Sequence, residues 1–200
     1  MSMIVNRRDL DFYFYEMLDL DALLSHPRYE DYDRDMVAAM LDTAQQIAEE
    51  KFLPIAQKLD ANEPQFVNGK VEMIPEVKEA VDAFTDAGLV AASFDSDLGG
   101  MQLPWLVYSA MNGMFTCANN GATGYLFLTT ANANMLNACG SDELKRRFLP
   151  PMLEGRWCGT MCLSETQAGS SLADIRTTAT RRDDGSFSLV GTKMWISGGE

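Results

Sequence analysis

Between Leu98 and Ser141 the chain carries no Asp, Glu, Lys or Arg, a run of 44 positions in a protein of 200 residues of which 22% are charged. A stretch this long has to face something other than water. Lipid is excluded, because Asn112, Asn119, Asn120, Asn132, Asn134 and Asn137 punctuate it, whereas a membrane span needs about 20 predominantly apolar residues. What remains is helix at the centre of the protein, covered by neighbours on most sides, where plain core packing is the commoner role and a pocket for an apolar ligand the other.

The charge that this block lacks is placed unevenly elsewhere. Residues 1–97 hold 21 acids and 8 bases, while residues 142–200 hold 8 of each, so the net charge of −13 resides in the first half. An acidic layer repels a phosphate backbone and gains nothing from an anionic bilayer, so neither nucleic acid nor membrane insertion is expected. With 46% hydrophobic residues the chain can bury a sizeable core. Met1 to Leu10 contains Arg7, Arg8 and Asp9 but no apolar run of signal-peptide length, which gives the expectation of a cytoplasmic protein. Cys117, Cys139, Cys158 and Cys162 lack CxxC spacing and the only histidine is His26, so neither a metal site nor a disulfide framework is expected. The four cysteines read as buried, reduced thiols.

Up to about residue 155 the periodicity is helical. From Asp33 to Leu59, Met36, Val37, Met40, Leu41, Ala44, Ile47 and Ala48 fall on one stripe, with Pro54 kinking or ending the helix. A second helix starts at Pro75 and stops at Gly88. Pro104 opens a third through Met111 and Met114, Thr123 to Ala138 forms a fourth, and Ser141 caps a fifth that ends before Pro150-Pro151. Beyond Gly155 the pattern shortens to candidate strands at Trp157–Leu163, Arg176–Arg182, Ser186–Val190 and Lys193–Ser197, with Asp183-Asp184-Gly185 as a hairpin turn. Strands that stop at Glu200 leave open edges, so the chain is expected to be the front part of a longer polypeptide. The expected division is an amino-terminal extension at 1–32, an α-helical domain at 33–156 and the start of a β-domain at 157–200.

The run Met161-Cys162-Leu163-Ser164-Glu165-Thr166-Gln167-Ala168-Gly169-Ser170-Ser171 leads from a strand into a loop of small and hydroxyl-bearing residues. Its amides and hydroxyls could converge on an anion, yet it matches neither GxxxxGK[ST] nor GxGxxG, so the residues alone leave an ordinary small-residue turn equally open. There is no GxSxG elbow and no His near any Ser or Cys, which disfavours nucleophilic hydrolysis.

Residues 161–177, followed by Gly191-Thr192-Lys193-Met194-Trp195-Ile196-Ser197, resemble the flavin-binding signature of the acyl-CoA dehydrogenase family. Gly140-Ser141-Asp142-Glu143, Phe148-Leu149-Pro150 and Gly155-Arg156-Trp157 resemble that family's amino-terminal domain. Asp11-Phe12 to Leu18 and the long spacer before Asp33 resemble its longer bacterial branch, which includes 3-methylmercaptopropionyl-CoA dehydrogenase. The resemblance departs from the family pattern at Ser171, where Asp is usual, and at Thr166, where Pro is common.

The resemblance implies an α+β multidomain fold: an α-helical bundle, the start of an antiparallel β-barrel-like middle domain, and a carboxyl-terminal helical domain outside these residues. It implies FAD as cofactor. Met161, Leu163 and Ser164 would lie along the flavin ring, Gly169 and Ser170 would approach the pyrophosphate, and Ser170 also the CoA side of the substrate. Trp195, Ile196 and Ser197 would reach the ring from the next strand. Phe127, Leu128 and Ala131 correspond to walls of the acyl pocket, with Phe127 limiting chain length. Glu165 belongs to the cofactor loop and is not a base; the catalytic carboxylate is expected outside 1–200, so no catalytic residue is assigned, and residues 1–200 alone are expected to bind FAD weakly and turn nothing over. The implied reaction is α,β-dehydrogenation of an acyl-CoA to the trans-2-enoyl-CoA, with electrons passed to electron-transfer flavoprotein by a homodimer or homotetramer. Acyl-CoA oxidases and flavin monooxygenases of the same superfamily share the loop, and a non-catalytic helical interaction module is the reading from a different class.

Overall fold

A computed structural model of the chain describes residues 2–199; Met1 and Glu200, the outer limits of the first and last expected segments, lie outside the described residues. Asp33 caps α3 (Arg34–Ile47) through its carboxylate and the Met36 amide, and the apolar stripe buries Val37, Leu41 and Ala44, while Met36 stays exposed. The expected single helix to Leu59 does not hold. Pro54 has no N–H for the Glu50 carbonyl and its ring crowds that turn, so the chain widens into a π-helical turn at Ala48–Phe52 and a 3-10 turn at Leu53–Ile55. It then resumes as α4 (Ala56–Ala61).

The first 32 residues pack into the same core. Short helices α1 (Arg7–Asp11) and α2 (Leu20–Leu24) flank a π-helical segment at Phe12–Met17, and Phe14, Leu20 and Leu24 are buried. A hairpin absent from the sequence reading follows α4. Strands β1 (Gln65–Val67) and β2 (Lys70–Glu72) pair antiparallel around Asn68-Gly69, both at positive φ, the residue pair a two-residue turn of this hand demands. Helix α5 (Glu76–Asp86) then brings Phe84 onto Phe115, which also meets Phe52; both ring pairs are edge-to-face, at 4.8 and 5.0 Å between centroids.

Helix α6 (Trp105–Cys139) is the charge-free block, packed against α3, α4, α5 and α7. The two helices expected in this block meet with one residue between them, because Asn119 alone leaves helical geometry at φ −163° and ψ 92°. Its side chain satisfies the break: the amide nitrogen donates to the Phe52 carbonyl at 3.2 Å and the oxygen accepts from Ala122 N at 3.1 Å. Ser141 caps α7 (Asp142–Leu153), which runs through Pro150-Pro151 rather than ending before them. The prolines forgo two donors late in the helix, but their carbonyls still accept, Pro150 from Glu154 N at 2.9 Å and Pro151 from Arg156 N at 2.9 Å.

Past α7, β3 (Thr178–Arg181) and β4 (Phe187–Val190) form an antiparallel hairpin with Thr178 opposite Val190. The expected strands at Trp157–Leu163 and Lys193–Ser197 do not form ladders. The first is extended but bonded mainly to side chains, and in the second Trp195 turns to φ +58°, which no ladder accommodates. The expectation of buried thiols fails as well: Cys117, Cys139, Cys158 and Cys162 are all exposed, since each falls on the outward side of its segment. The architecture is thus a helical domain followed by the first, small antiparallel part of a second domain. Among the described residues no helix is long and apolar enough to cross a membrane.

Candidate functional site

The site begins where α7 ends. Gly155 turns at φ +69°, and a Cβ there would lie 2.2 Å from the Thr85 methyl, so only glycine passes α5 at this point. The extended chain beyond it crosses α6 in close contact. The Gly159 amide donates to the Thr129 hydroxyl at 3.0 Å in a buried seam, and a Cβ on Gly159 would meet Asn132 Cβ at 2.7 Å and the Leu128 carbonyl at 3.1 Å. Thr129 in turn donates to the Tyr125 carbonyl at 2.7 Å. The loop is therefore fastened to the second half of α6.

Glu165 and Ala168 then close a tight turn through reciprocal backbone bonds of 2.8 and 3.2 Å. The Glu165 side chain points inward and the residue is only 6% exposed. Its carboxylate accepts from Lys193 Nζ at 2.9 Å, the Thr177 hydroxyl at 2.6 Å, the amides of Arg176 and Thr177 at 2.7 and 2.9 Å, and Gln167 Nε2 at 2.7 Å. The Lys193 ammonium, foremost among these, holds the carboxyl far below the usual carboxylate range. A carboxylate this strongly kept in its charged form is a poor proton acceptor, so Glu165 is an anchor.

That anchor joins the two sequence segments. Lys193 Nζ also donates to the Leu163 carbonyl at 3.0 Å, and Met194 N donates to the Ser164 carbonyl at 3.0 Å. Gly191 permits the approach, because a Cβ there would lie 2.1 Å from the Thr177 hydroxyl that binds Glu165. Further along, the Thr160 hydroxyl donates to the Ser197 carbonyl and Gly198 lies against the Tyr125 ring.

The structure brings Met161, Leu163 and Ser164 together with Trp195, Ile196 and Ser197. Met161, Leu163 and Trp195 are exposed, Trp195 to 83%, and Ser164 and Ile196 are half-buried. Among the described residues the amides of Leu163 and Ser164, and the Ser164 and Ser197 hydroxyls, have no partner. Gly169 and Ser170 sit past the tight turn with amides that have no partner among the described residues, and a Cβ on Gly169 would meet nothing within 4 Å. Uncharged donors beside exposed flat and apolar side chains, with the buried Glu165 charge balanced by Lys193, suit the electron-rich polar edge of a flavin ring and an anionic phosphate. Phe127 stands apart from this cluster, 64% exposed on a face of α6 that the loop does not cover, while Leu128 and Ala131 are half-buried.

Five residues that shape the site went unassigned in the sequence reading: Thr129, Gly159, Thr177, Gly191 and Lys193. Thr177, Gly191 and Lys193 fall within the two quoted segments without a role, and the signal that could have found the pair is charge: Lys193 is the sole charge in 185–199 and Glu165 the sole charge in 157–173.

Residues 35–156 match the family described as "Acyl-CoA dehydrogenase, N-terminal domain". The chain is 34% identical over 172 residues to the 3-methylmercaptopropionyl-CoA dehydrogenase of Ruegeria pomeroyi, covering 86% of this chain and 29% of that protein. It is 33% identical over 202 residues to the broad-specificity linear acyl-CoA dehydrogenase FadE5 of Mycobacterium tuberculosis, covering 98% of this chain and 32% of that protein. The solved structure of butyryl-CoA dehydrogenase from Megasphaera elsdenii superimposes with a TM-score of 0.69 at 27% identity, over 84% of this chain and 42% of that one. The chain thus spans about a third of the length of the curated relatives it matches. Matched along its helices by the family profile and along nearly its whole length by the relatives, the chain belongs to the acyl-CoA dehydrogenase family.

Proposed function

We propose that the chain serves FAD-dependent α,β-dehydrogenation of an acyl-CoA thioester to the trans-2-enoyl-CoA, in a homo-oligomer that passes electrons to electron-transfer flavoprotein. The observation that carries this reading is the lock between Leu163-Ser164 and Lys193-Met194, which leaves the Ser164 amide and hydroxyl unpartnered among the described residues, near the exposed Trp195. FAD, when bound, supplies the acceptor for the hydride that leaves the β-carbon. Leu163 and Ser164 would donate to the ring's polar edge, where fixed donors stabilise the negative charge that accumulates there. The Trp195 indole would cover one face and exclude water, with Met161, Ile196 and Ser197 beside it. Gly169 and Ser170 would receive the pyrophosphate, and Ser170 the CoA side of the substrate. Residues 1–32, 33–156 and 157–200 would act as extension, helical wall and flavin-side domain in a cytoplasmic enzyme.

The wall of the acyl pocket would come from the charge-free helix, at Phe127, Leu128 and Ala131. The relatives' printed names, one for a 3-methylmercaptopropionyl thioester and one for linear acyl groups, favour an unbranched acyl chain. The α-proton would be taken by a carboxylate outside residues 1–200. The test is to purify the intact protein, quantify flavin released on denaturation, and assay a series of straight-chain acyl-CoAs with electron-transfer flavoprotein or with air as acceptor. The expected result is stoichiometric FAD and acyl-CoA-dependent reduction of the flavoprotein. Absence of FAD overturns the reading, and electron transfer to oxygen alone replaces it with an oxidase.

A further inference from the structure

We propose that Lys193 is a positioning residue for the flavin donor at Ser164. In a trans peptide the C=O of one residue and the N–H of the next point in opposite directions. Lys193 Nζ holds the Leu163 carbonyl at 3.0 Å, so the Ser164 N–H of that same peptide unit is turned the opposite way, where it has no partner among the described residues. The neighbouring Met194 amide fixes the Ser164 carbonyl at 3.0 Å. Two consecutive residues of one segment thereby set both peptide planes that flank Ser164.

The ammonium can do this only because Glu165 keeps it there. The Lys193 and Glu165 side chains are 20% and 4% exposed, and Glu165 is itself pinned by Thr177, Arg176 and Gln167. A charged donor on a carbonyl is stronger than a neutral one. In this proposal Lys193 acts through the Leu163–Ser164 peptide rather than on the ring or the substrate. It removes the freedom of the Leu163–Ser164 peptide to flip, so that the donor is aimed before the ligand arrives.

The inference rests on the flavin reading proposed above, and the test separates the two. In the intact protein, Lys193→Met alone would strand the buried Glu165 charge and could unfold the loop, so the informative variant is the Lys193→Met/Glu165→Gln double, which removes both charges and retains their volume. Three quantities are read: the thermal midpoint, the Kd for FAD by fluorescence titration, and the midpoint potential of bound FAD. The expected result is a double variant that folds, binds FAD about tenfold more weakly and has a lower flavin midpoint potential, with Lys193→Arg close to wild type in all three. A folded double variant with wild-type Kd and potential overturns the role of Lys193 and leaves the flavin reading intact. A wild-type protein that binds no FAD overturns both.

Discussion

The Thr129 hydroxyl accepts a hydrogen bond from the Gly159 amide at 3.0 Å within a buried seam, thirty residues apart in sequence, and this contact helps to join the charge-free helix to the loop that carries the candidate flavin site. The helix would shape the acyl side and the loop the flavin side. Their relative position therefore depends in part on a hydroxyl and a glycine.

Two substitutions test that seam. Thr129→Val keeps the shape and removes the acceptor, leaving a buried N–H unsatisfied, at a cost of about 1–3 kcal/mol. Gly159→Ala places a methyl against Asn132 Cβ and the Leu128 carbonyl, a crowding that costs about 1–3 kcal/mol. Thr129→Ser should restore most of the loss. Chemical denaturation of the three variants reads it, and an unaltered Thr129→Val midpoint would show that the seam contributes nothing.

The break in α6 is the second test. Asn119 bonds both the Phe52 carbonyl and the Ala122 amide, so it acts as cap for the second half of the helix and as a tie to the π-helical turn. Asn119→Ala removes both and should destabilise by about 2 kcal/mol. Hydrogen exchange should speed up first at Ala122 and its neighbours. If exchange there stayed at the wild-type rate, the capping role assigned to Asn119 would be wrong.

How much of this could be read from the residues alone varies with the element. The helices were visible because their apolar spacing and their caps, Asp33 and Ser141, agree with each other. The short hairpin at Gln65–Glu72 was not, although Asn68-Gly69 announces it, because its three-residue strands are too brief to show alternation. In the candidate site, the two segments that the structure pairs were legible as motifs. The reason for their pairing was not, since it depends on a lone Glu165 meeting a lone Lys193, and on Gly191 allowing Thr177 between them. Periodicity carries no information about such long-range contacts.

Phe127 offers a third prediction with two readouts. The side chain is 64% exposed and outside the core, so Phe127→Ala should change stability by less than about 0.5 kcal/mol. If it limits the acyl chain as proposed, the same variant in the intact protein should shift the preference in kcat/KM toward longer acyl-CoAs. An unchanged profile across chain lengths would remove Phe127 from the pocket wall.

The last prediction concerns acid. Lys193, with Thr177 and the Arg176 amide, lowers the pKa of Glu165 far below its ordinary 4.5. A depressed carboxylate contributes stability that is complete above the unfolded value, near pH 4.5, and is lost as pH falls through the gap toward the folded value. Glu165→Gln should therefore be less stable than wild type by a constant amount above about pH 4.5, and the difference should shrink steadily below it. Asp21, Glu49, Glu76 and Asp184 are also depressed by their own donors, so an acid limb persists in the variant and only its slope should fall. Urea midpoints of the two proteins between pH 2 and 7 measure this directly. Parallel curves across that range would mean that the Glu165–Lys193 pair does not stabilise the folded loop through its charge.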